Sequence, residues 1–550
     1  MSYLTAAPEM IASAATDVAS IGSTLNAARA DTAASTTAVV AAAEDEVSAA
    51  IAKLFSGHGQ AFQAVSAQAA AFHAEFLRAL SGSSGAYTGS EAGNVSNLLS
   101  QPPINPTTGV ALIIGGSGEP IPTMDFVTTN FNLFVKPQFP NVTPQALFTP
   151  EGNYALYTGV KSLTLDVSEA QGVQILNTAI QQQIAAGNFV VVKGESQSST
   201  ISSMVMPLLA AEHIPSSDVS FVLTGNPNNP NGGLFERLNP LSIPALGITF
   251  NGATPDNLYP TTIYTQEYDG FADVPRYPID LLSDLNSLAG IYYVHPTYES
   301  LTPAQISDAI PLSTVGPTMT NYYMIPTANL PLLDPLRAIP VVGNPLADLM
   351  QPDLRVLVNL GYGDPNYGWS TAPANVPTPF GLFPGMSEVA KVPGLLASGT
   401  HQGMVAFNHD MHVEFAAPHA PLFPSTITSH SSPGHLSTIL SNPASLFTGF
   451  SPVKIADDIY NAVNALSAAA SDAYQILLPT ADVANALLTS LPAYDLTLFA
   501  AGLQAGNLVE AIGQPIATDT YLIPLAFAFE GFAVISQLEA VIADLQKAIP

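Results

Sequence analysis

The 550-residue sequence contains no cysteine. That excludes disulfide frameworks, thiolate zinc sites and cysteine nucleophiles, and it leaves the compartment open. Basic residues are scarce: 13 Lys and Arg stand against 42 Asp and Glu, for a formal net charge of −29. A chain with so little to set against phosphate is a poor partner for nucleic acid. The same balance disfavours electrostatic docking on anionic lipid, so attraction to a membrane or waxy surface would have to be apolar. The N-terminus, MSYLTAAPEMIAS, lacks a basic region followed by an apolar core, so no conventional signal peptide is expected. The most hydrophobic late stretch, YLIPLAFAFEGFAVI (521–535), is short for a span and contains Glu530, so no transmembrane span is expected.

What is present begins with alanine. Residues 8–80 are rich in Ala, Ser and Thr with few breakers. Ile11, Ala14, Val18, Ile21, Leu25 and Ala28 follow 3-4 spacing, a narrow helical seam. After the polar stretch ADTAAST (30–36) the rhythm resumes through Val47, Ile51, Leu54, Phe62, Val65, Ala69, Phe72 and Phe76. This predicts an antiparallel α-helical hairpin. Two helices cannot bury their apolar stripes alone, so a helical partner is implied. The hairpin ends in SGSSGAYTGS (81–90), and QPPINPTTG (101–109) reads as a linker.

From about 109 the texture becomes α/β. GVALIIGG (109–116), FVVVKG (189–194), VSFVLTGNP (219–227) and TTIYTQEYDG (261–270) read as strands. SEAQGVQILNTAIQQQIAAG (168–187) reads as a helix, with Ser168 and Gln171 as a capping box and Gly187 at C′. SSTISSMVMPLLAA (198–211) reads as a helix packed on a sheet. Alternating strands and helices imply a mainly parallel, doubly wound sheet. Past 371 the pattern weakens. Residues 371–440 hold many prolines and six of the ten histidines, and 452–550 read as helical and apolar.

GESQS (194–198) joins a buried strand to a helix. A serine there is either an ordinary turn residue or a nucleophile lifted above the sheet on a sharp elbow, and the strand-to-helix setting favours the nucleophile. Gly194 gives the backbone room, and Ser198 is small enough for the helix to pack closely. The N–H of Gln197 would face the same space as the Ser196 hydroxyl and could serve an oxyanion. A nucleophile needs a base, and the base an orienting carboxylate. QEYDGFADVPRYP (266–278) offers Asp269 and Asp273 on a loop past a strand end, and IYYVHPTY (291–298) offers His295 on another loop. Asp273 is the first choice of acid, because Asp-Val-Pro fits a tight loop, and Asp269 is the reserve. Asp364, in LGYGDPNYGW, is a rival acid that keeps the Ser-Asp-His order if paired with a later histidine. LIIGGSGEP (112–120) supplies a glycine loop, with Ser117 as a second oxyanion donor. It lacks a P-loop lysine and Rossmann spacing, which disfavours a nucleotide site. His401, His409, Asp410 and His412, in HQGMVAFNHDMHVEF (401–415), invite a zinc reading, but a polar strand or surface loop is the simpler one. The lone Trp369 reads as packing.

The first hundred residues resemble the mycobacterial PE domain. The matching stretches are APEMIASAATDVASIGS (7–23) and STTAVVAAAEDEVSAAIAKLFSGHGQAFQAVSAQAAAFHAEF (35–76). Tyr87 and Glu91, in YTGSE, match the Y-x-x-x-D/E export signal of type VII secretion. Residues 109–370 resemble the PE-PPE domain, a cutinase-like serine α/β-hydrolase. GGSGEPIP (115–122), GESQSS (194–199), GNPNNPNGG (225–233), QEYDGFADVPRYP, LNSLAGIYYVHPTY (285–298) and VNLGYGD (358–364) carry the likeness. That family includes the G-x-S-x-S form. The resemblance implies esterase or lipase activity on acyl esters without cofactor or metal, and export to the cell wall, cell surface or medium. The hairpin's expected helical partner is a PPE-type protein or a helical segment that the chain itself provides.

The expected organisation is therefore a PE hairpin with its export signal (1–98), a linker (99–108), an α/β serine hydrolase domain (109–370) and a C-terminal extension (371–550) that is helical from about 452. The expected function is an exported serine ester hydrolase working through Ser196, Asp273 and His295. The alternative is a non-catalytic surface protein, its hydrolase fold serving as a binding or immunomodulatory module.

Overall fold

The computed structural model describes residues 109–152, 163–416 and 477–548, together with scattered positions between 19 and 63 and Ala465. The chain divides into two units, Met1–Asn105 and Pro106–Pro550. Most of the expected hairpin, with Tyr87 and Glu91, lies outside the described residues.

In the first unit, residues 32–37 and 51–57 are helical. The polar stretch after which the rhythm resumes, 30–36, is helical at its described residues, and the non-helical turn falls at 38–44. The hydroxyls of Thr36 and Thr37 donate to the carbonyls of Thr32 and Ala33 (2.7 Å each), so these polar side chains are satisfied within the helix. Ile51, Leu54, Phe55 and Phe62 stand exposed.

The second unit is built on a mixed, mostly parallel sheet. Its strands are β1 (Gly109–Ile113), β2 (Val142–Ala146), β3 (Phe189–Glu195), β4 (Val219–Thr224), β7 (Thr261–Gln266), β8 (Ile310–Pro311) and β9 (Thr320–Ile325). A two-stranded ribbon, β5 (Ser242–Ile243) and β6 (Ile248–Thr249), stands apart. The order is β2-β1-β3-β4-β7-β9-β8, with only β8 antiparallel to its neighbour. Helices α1 (Met124–Asn130), α2 (Leu165–Ala185), α3 (Gln197–Ala211) and α4 (Leu281–Tyr293) connect them.

Alternation along β3 shows why both faces are covered. Val190 and Val192 join Leu176, Ile180, Ile201 and Val205 from α2 and α3. Val191, between them, points the other way, to Phe134, Val135, Tyr298 and Leu301. All three valines are fully buried, each worth about 1.5–3 kcal/mol in transfer terms. The chain leaves β1 toward one side of the sheet and β3 toward the other. That reversal opens a crevice above the strand ends, the usual place for a ligand in such sheets.

Helix α2 begins earlier than its expected capping box. Thr164 is the N-cap, and Ser168 lies inside the helix, buried, its hydroxyl donating to Gln197 Oε1 (2.8 Å). Gly187 follows the C-cap Ala186 at φ +80°.

The packing continues past residue 370. Asn231 donates to the carbonyl of Ala372 (2.8 Å), Ala374 N–H to Ser313 O (2.7 Å), and Arg237 to Thr378 Oγ1 (2.9 Å). Helix α5 (Gly343–Leu360) is followed by α6 (Val392–Ala416), tied to it by Thr400 Oγ1 donating to Asp353 Oδ2 (2.7 Å). Residues 401–415, expected as a strand or loop, are therefore helical. Helices α7 (Leu477–Leu488), α8 (Ser490–Gln504) and α9 (Leu508–Ala548) complete the unit. Ala486, Leu491, Tyr494, Ala517, Tyr521, Leu522 and Leu525 share a core with Leu234, Phe235, Leu238, Val274 and Phe380. The stretch 521–535 was expected to be too short for a span, but α9 runs on through Pro515 and Pro524. Thr480–Gln504 and Leu508–Ile535 are long and apolar enough to cross a membrane by length and composition. Only 22% and 28% of these windows is buried inside the protein: their inner faces pack on the shared core and the rest is exposed.

Candidate active site

Ser196 sits between β3 and α3 at φ +54°, ψ −119°, a conformation that costs a non-glycine residue on the order of 1–3 kcal/mol. Neighbours hold it there. The Ser196 N–H donates to Thr224 O (3.1 Å), and its carbonyl accepts from the Ser199 N–H (2.9 Å). The Ser198 hydroxyl is buried and accepts from the Glu195 N–H (2.8 Å). A Cβ on Gly194 would stand 2.8 Å from the Ser198 carbonyl oxygen, so any side chain there would push the helix off the strand.

His295 Nε2 lies 2.8 Å from Ser196 Oγ. Its Nδ1 lies 2.8 Å and 3.0 Å from the two carboxylate oxygens of Asp269. A carboxylate only accepts, so Nδ1 carries the proton and Nε2 is left to accept from the serine hydroxyl. Asp269 is wholly buried. Its Oδ1 also accepts from the N–H groups of Phe271 (2.9 Å) and Ala272 (3.2 Å), and its Oδ2 from the Tyr298 hydroxyl (2.7 Å). Burial alone would raise the Asp269 pKa, but His295 and these donors hold it below the ordinary carboxylate value. For His295, burial works against the charged form, and the Asp269 carboxylate outweighs it with help from Glu195, so its pKa is raised.

The acid facing His295 is thus Asp269, and the first choice, Asp273, is corrected. Asp273 lies one helical turn further on, its N–H donating to the Asp269 carbonyl (2.7 Å). Its Oδ2 accepts from the Tyr268 N–H (3.0 Å), and burial raises its pKa well above the ordinary value. Its bonds to the Asp269 carbonyl and the Tyr268 N–H tie the loop together. Asp364 is remote in role too: it pairs with Lys391 (3.3 Å) and accepts from Asn366. His401, His409 and His412 stand exposed along α6. Trp369 is buried, with its ring 5.1 Å from that of Tyr367.

The glycine loop after β1 lies beside the serine. A Cβ on Gly116 would be 3.4 Å from Ser196 Cβ. Ser117 Oγ accepts from Gln197 Nε2 (3.1 Å), which also donates to Gly152 O (2.9 Å). The side chain of Gln197 therefore fastens the glycine loop to the start of α3. Its N–H, in the first turn of the helix, has no carbonyl four residues back to bond and is free for a ligand.

Below the serine, Lys193 is fully buried, 2.7 Å from Thr224 Oγ1 and 3.6 Å from Glu195 Oε2. Burial pulls its pKa down to about 8, against the raising effect of Glu195. Glu299 nearby is pushed up to about 7, by burial first and by Glu195 and Glu119 next.

Two residues escaped the sequence reading. Tyr298 both donates to Asp269 and accepts from the Gln266 N–H (2.9 Å). It lies three residues after His295 in a 3-10 helix (His295–Ser300), where side chains at that spacing eclipse, and that spacing was its signal. Phe271 covers the His295 ring at 4.6 Å between centroids, a contact that no local pattern announces.

Comparison with known proteins now bears on this geometry. Residues 4–94 match the family model "PE family", and residues 140–363 match "PE-PPE domain". Esterase PE16 of Mycobacterium tuberculosis (strain ATCC 25618 / H37Rv) is 48% identical over 402 residues, 72% of this chain and 74% of that protein. The chain belongs to the PE family and carries a PE-PPE domain. PE family protein PE3 of the same strain is 45% identical over 422 residues, 73% of this chain and 87% of the relative. The PPE family protein PPE28 of that strain is 49% identical over 452 residues, 80% of this chain and 67% of the relative. Both domain types expected from the sequence are thus present, and one of these relatives is named an esterase.

Proposed function

We propose that this chain is an exported serine ester hydrolase. The observation that carries the reading is the unbroken line Ser196–His295–Asp269, with Asp269 also accepting from the Phe271 and Ala272 N–H groups and the Tyr298 hydroxyl. His295 Nε2 takes the hydroxyl proton as Ser196 Oγ bonds to the ester carbonyl carbon. The carbonyl oxygen becomes an oxyanion facing the Gln197 N–H and Ser117. Collapse breaks the bond to the alcohol oxygen, which leaves with the proton from His295. Water, deprotonated by His295, then attacks the acyl-serine and releases the acid. Asp269 stays ionised, keeps the imidazole oriented and stabilises its charged form. The name of the relative Esterase PE16 supports ester hydrolysis.

Ser196→Ala should abolish ester hydrolysis and labelling by a fluorophosphonate while leaving the melting temperature nearly unchanged. Labelling that persists in Ser196→Ala would place the reactive group elsewhere and sink the reading.

Export and partnership belong to the same proposal. The motif at Tyr87 and Glu91 fits type VII secretion machinery, which would deliver the chain to the cell wall, cell surface or medium. Exposed Ile51, Leu54, Phe55 and Phe62 suit a helical partner, most simply a PPE-type protein. Tyr87→Ala or Glu91→Ala should keep the chain in the cytoplasm with full activity in lysate. Wild-type amounts in the envelope or culture filtrate would refute the signal.

A further inference from the structure

Phe271, which lies over His295, is itself stacked on Phe529 of α9, with centroids 6.0 Å apart and planes 23° apart. One turn further along α9, Phe532 stacks on Tyr292 of α4 at 6.3 Å and 9°. Positions 529 and 532 share one helix face, so both pairs line the same junction between α9 and the sheet unit. The inner end touches the histidine. The outer end is open: Tyr292 is 60% exposed and Phe532 43%. A large apolar surface that begins at a reactive histidine and ends in water calls for an apolar ligand. Charge narrows the choice. Helix α9 carries Glu510, Asp519, Glu530, Glu539 and Asp544 against Lys547 alone, which suits an uncharged chain and opposes an anionic headgroup.

We propose that the alkyl chain of the ester substrate lies along the aromatic track Phe271–Phe529 and Tyr292–Phe532, so that the C-terminal helix α9 is part of the substrate site. The inference rests on the ester-hydrolase reading and adds a substrate class to it: esters with a long, uncharged alkyl chain. Phe529 and Phe532 are then specificity-determining residues, supplied by a helix far from the triad in sequence. The chain can belong to the acyl or the alcohol side of the ester, and the two are separable by experiment.

The test uses the full chain with p-nitrophenyl esters from acetyl to hexadecanoyl, and with acetate esters of alcohols of the same lengths read by acid release. Wild-type kcat/KM should rise with chain length in one of the two series. Phe529→Ala should lose about tenfold more on the dodecyl-length substrate than on the shortest one, the scale of one lost aromatic contact. Phe532→Gln, at an exposed position where core packing is not at stake, should flatten the series at its long end only. Binding of a non-hydrolysable dodecyl ether to Ser196→Ala, measured by calorimetry, gives a readout independent of turnover, and adding Phe529→Ala should weaken it by a similar factor. A chain-length profile unchanged in both variants, or a loss equal at all lengths, overturns the track. If fluorophosphonate fails to label the wild type, the hydrolase reading is what fails, and the ether titration still decides whether alkyl chains bind along α9.

Discussion

The strand-end loops and the C-terminal helices of the second unit are held in opposite ways. Around Ser196 and Asp269 nearly every position is fixed by a directional bond: a carboxylate with four donors, a histidine between acceptor and donor, a glutamine fastening one loop to another. Helices α7 to α9 are held to the sheet unit mainly by area, through Leu491, Tyr494, Tyr521, Leu522 and Leu525. Their polar ties include Tyr521 to Ser287 (3.0 Å) and Tyr494 to Asn239 O (3.3 Å). Hydrogen bonds set angles and proton positions; apolar burial sets affinity and tolerates small shifts. Proton transfer needs the first kind of hold, and accommodation of a flexible chain needs only the second. A polar deletion at the strand ends should therefore cost rate, and one at the α9 junction should cost stability.

The largest effect should come from the two aspartates. Asp269→Asn should lower kcat by about 10⁴, because the amide favours the wrong imidazole tautomer. Asp273→Asn keeps the side-chain shape and an oxygen able to accept from the Tyr268 N–H, away from His295, and should keep kcat within about tenfold, the scale of a single hydrogen bond. Steady-state rates on a short ester distinguish them. A larger loss in Asp273→Asn than in Asp269→Asn would overturn the assignment of the acid.

Two tyrosines test the comparison directly, since each loses one hydroxyl. Tyr298→Phe leaves Asp269 Oδ2 with only its longer share of the His295 Nδ1–H and should lower kcat by about tenfold with KM nearly constant. Its acid limb in the pH–rate profile should also move, which a purely structural tyrosine would not produce. Tyr521→Phe removes the tie to Ser287 and should cost about 1 kcal/mol in urea unfolding with the short-ester rate unchanged. Reversed outcomes would mean that the α9 junction positions the site and the strand ends do not.

Much of the sheet unit was legible because its signals are local. A run of valines ending in Gly-x-Ser announces a buried strand and an elbow, and β3, Ser196 and α3 fall where that pattern put them. His295 and the loop of acids were legible for the same reason. Choosing between Asp269 and Asp273 was not. The two are four residues apart in one loop, both fully buried, and only its fold turns one toward the histidine and the other toward Tyr268 N–H. The helical run at 401–416 was hidden by its histidines and the prolines before it, and the stacking of Phe529 on Phe271 joins residues more than 250 positions apart. Tertiary contact decided these, and no window of sequence contains it.

The smallest expected effect concerns pH. His295 must be neutral to accept the serine proton, and its pKa lies above the usual 6.5: burial lowers it, but Asp269 and then Glu195 raise it further. Hydrolysis should therefore fall as pH drops through a value above 6.5. Stability runs the other way in that window. A histidine with a raised folded-state pKa contributes stability that is fully present below its unfolded pKa and is lost as pH rises through the folded one. Asp269, whose folded pKa is depressed, contributes stability above its unfolded value that is lost only in acid, as pH falls through the folded pKa. Glu195 offers a way to shift the activity limb without touching the triad, since it acts on His295 through its charge and bonds neither Ser196 nor His295. Glu195→Gln should move the acid limb of kcat/KM to lower pH while the plateau rate stays close to wild type. A limb that stays in place or moves upward would show that Asp269 alone sets the histidine, and that the charge beneath the serine serves only buried Lys193.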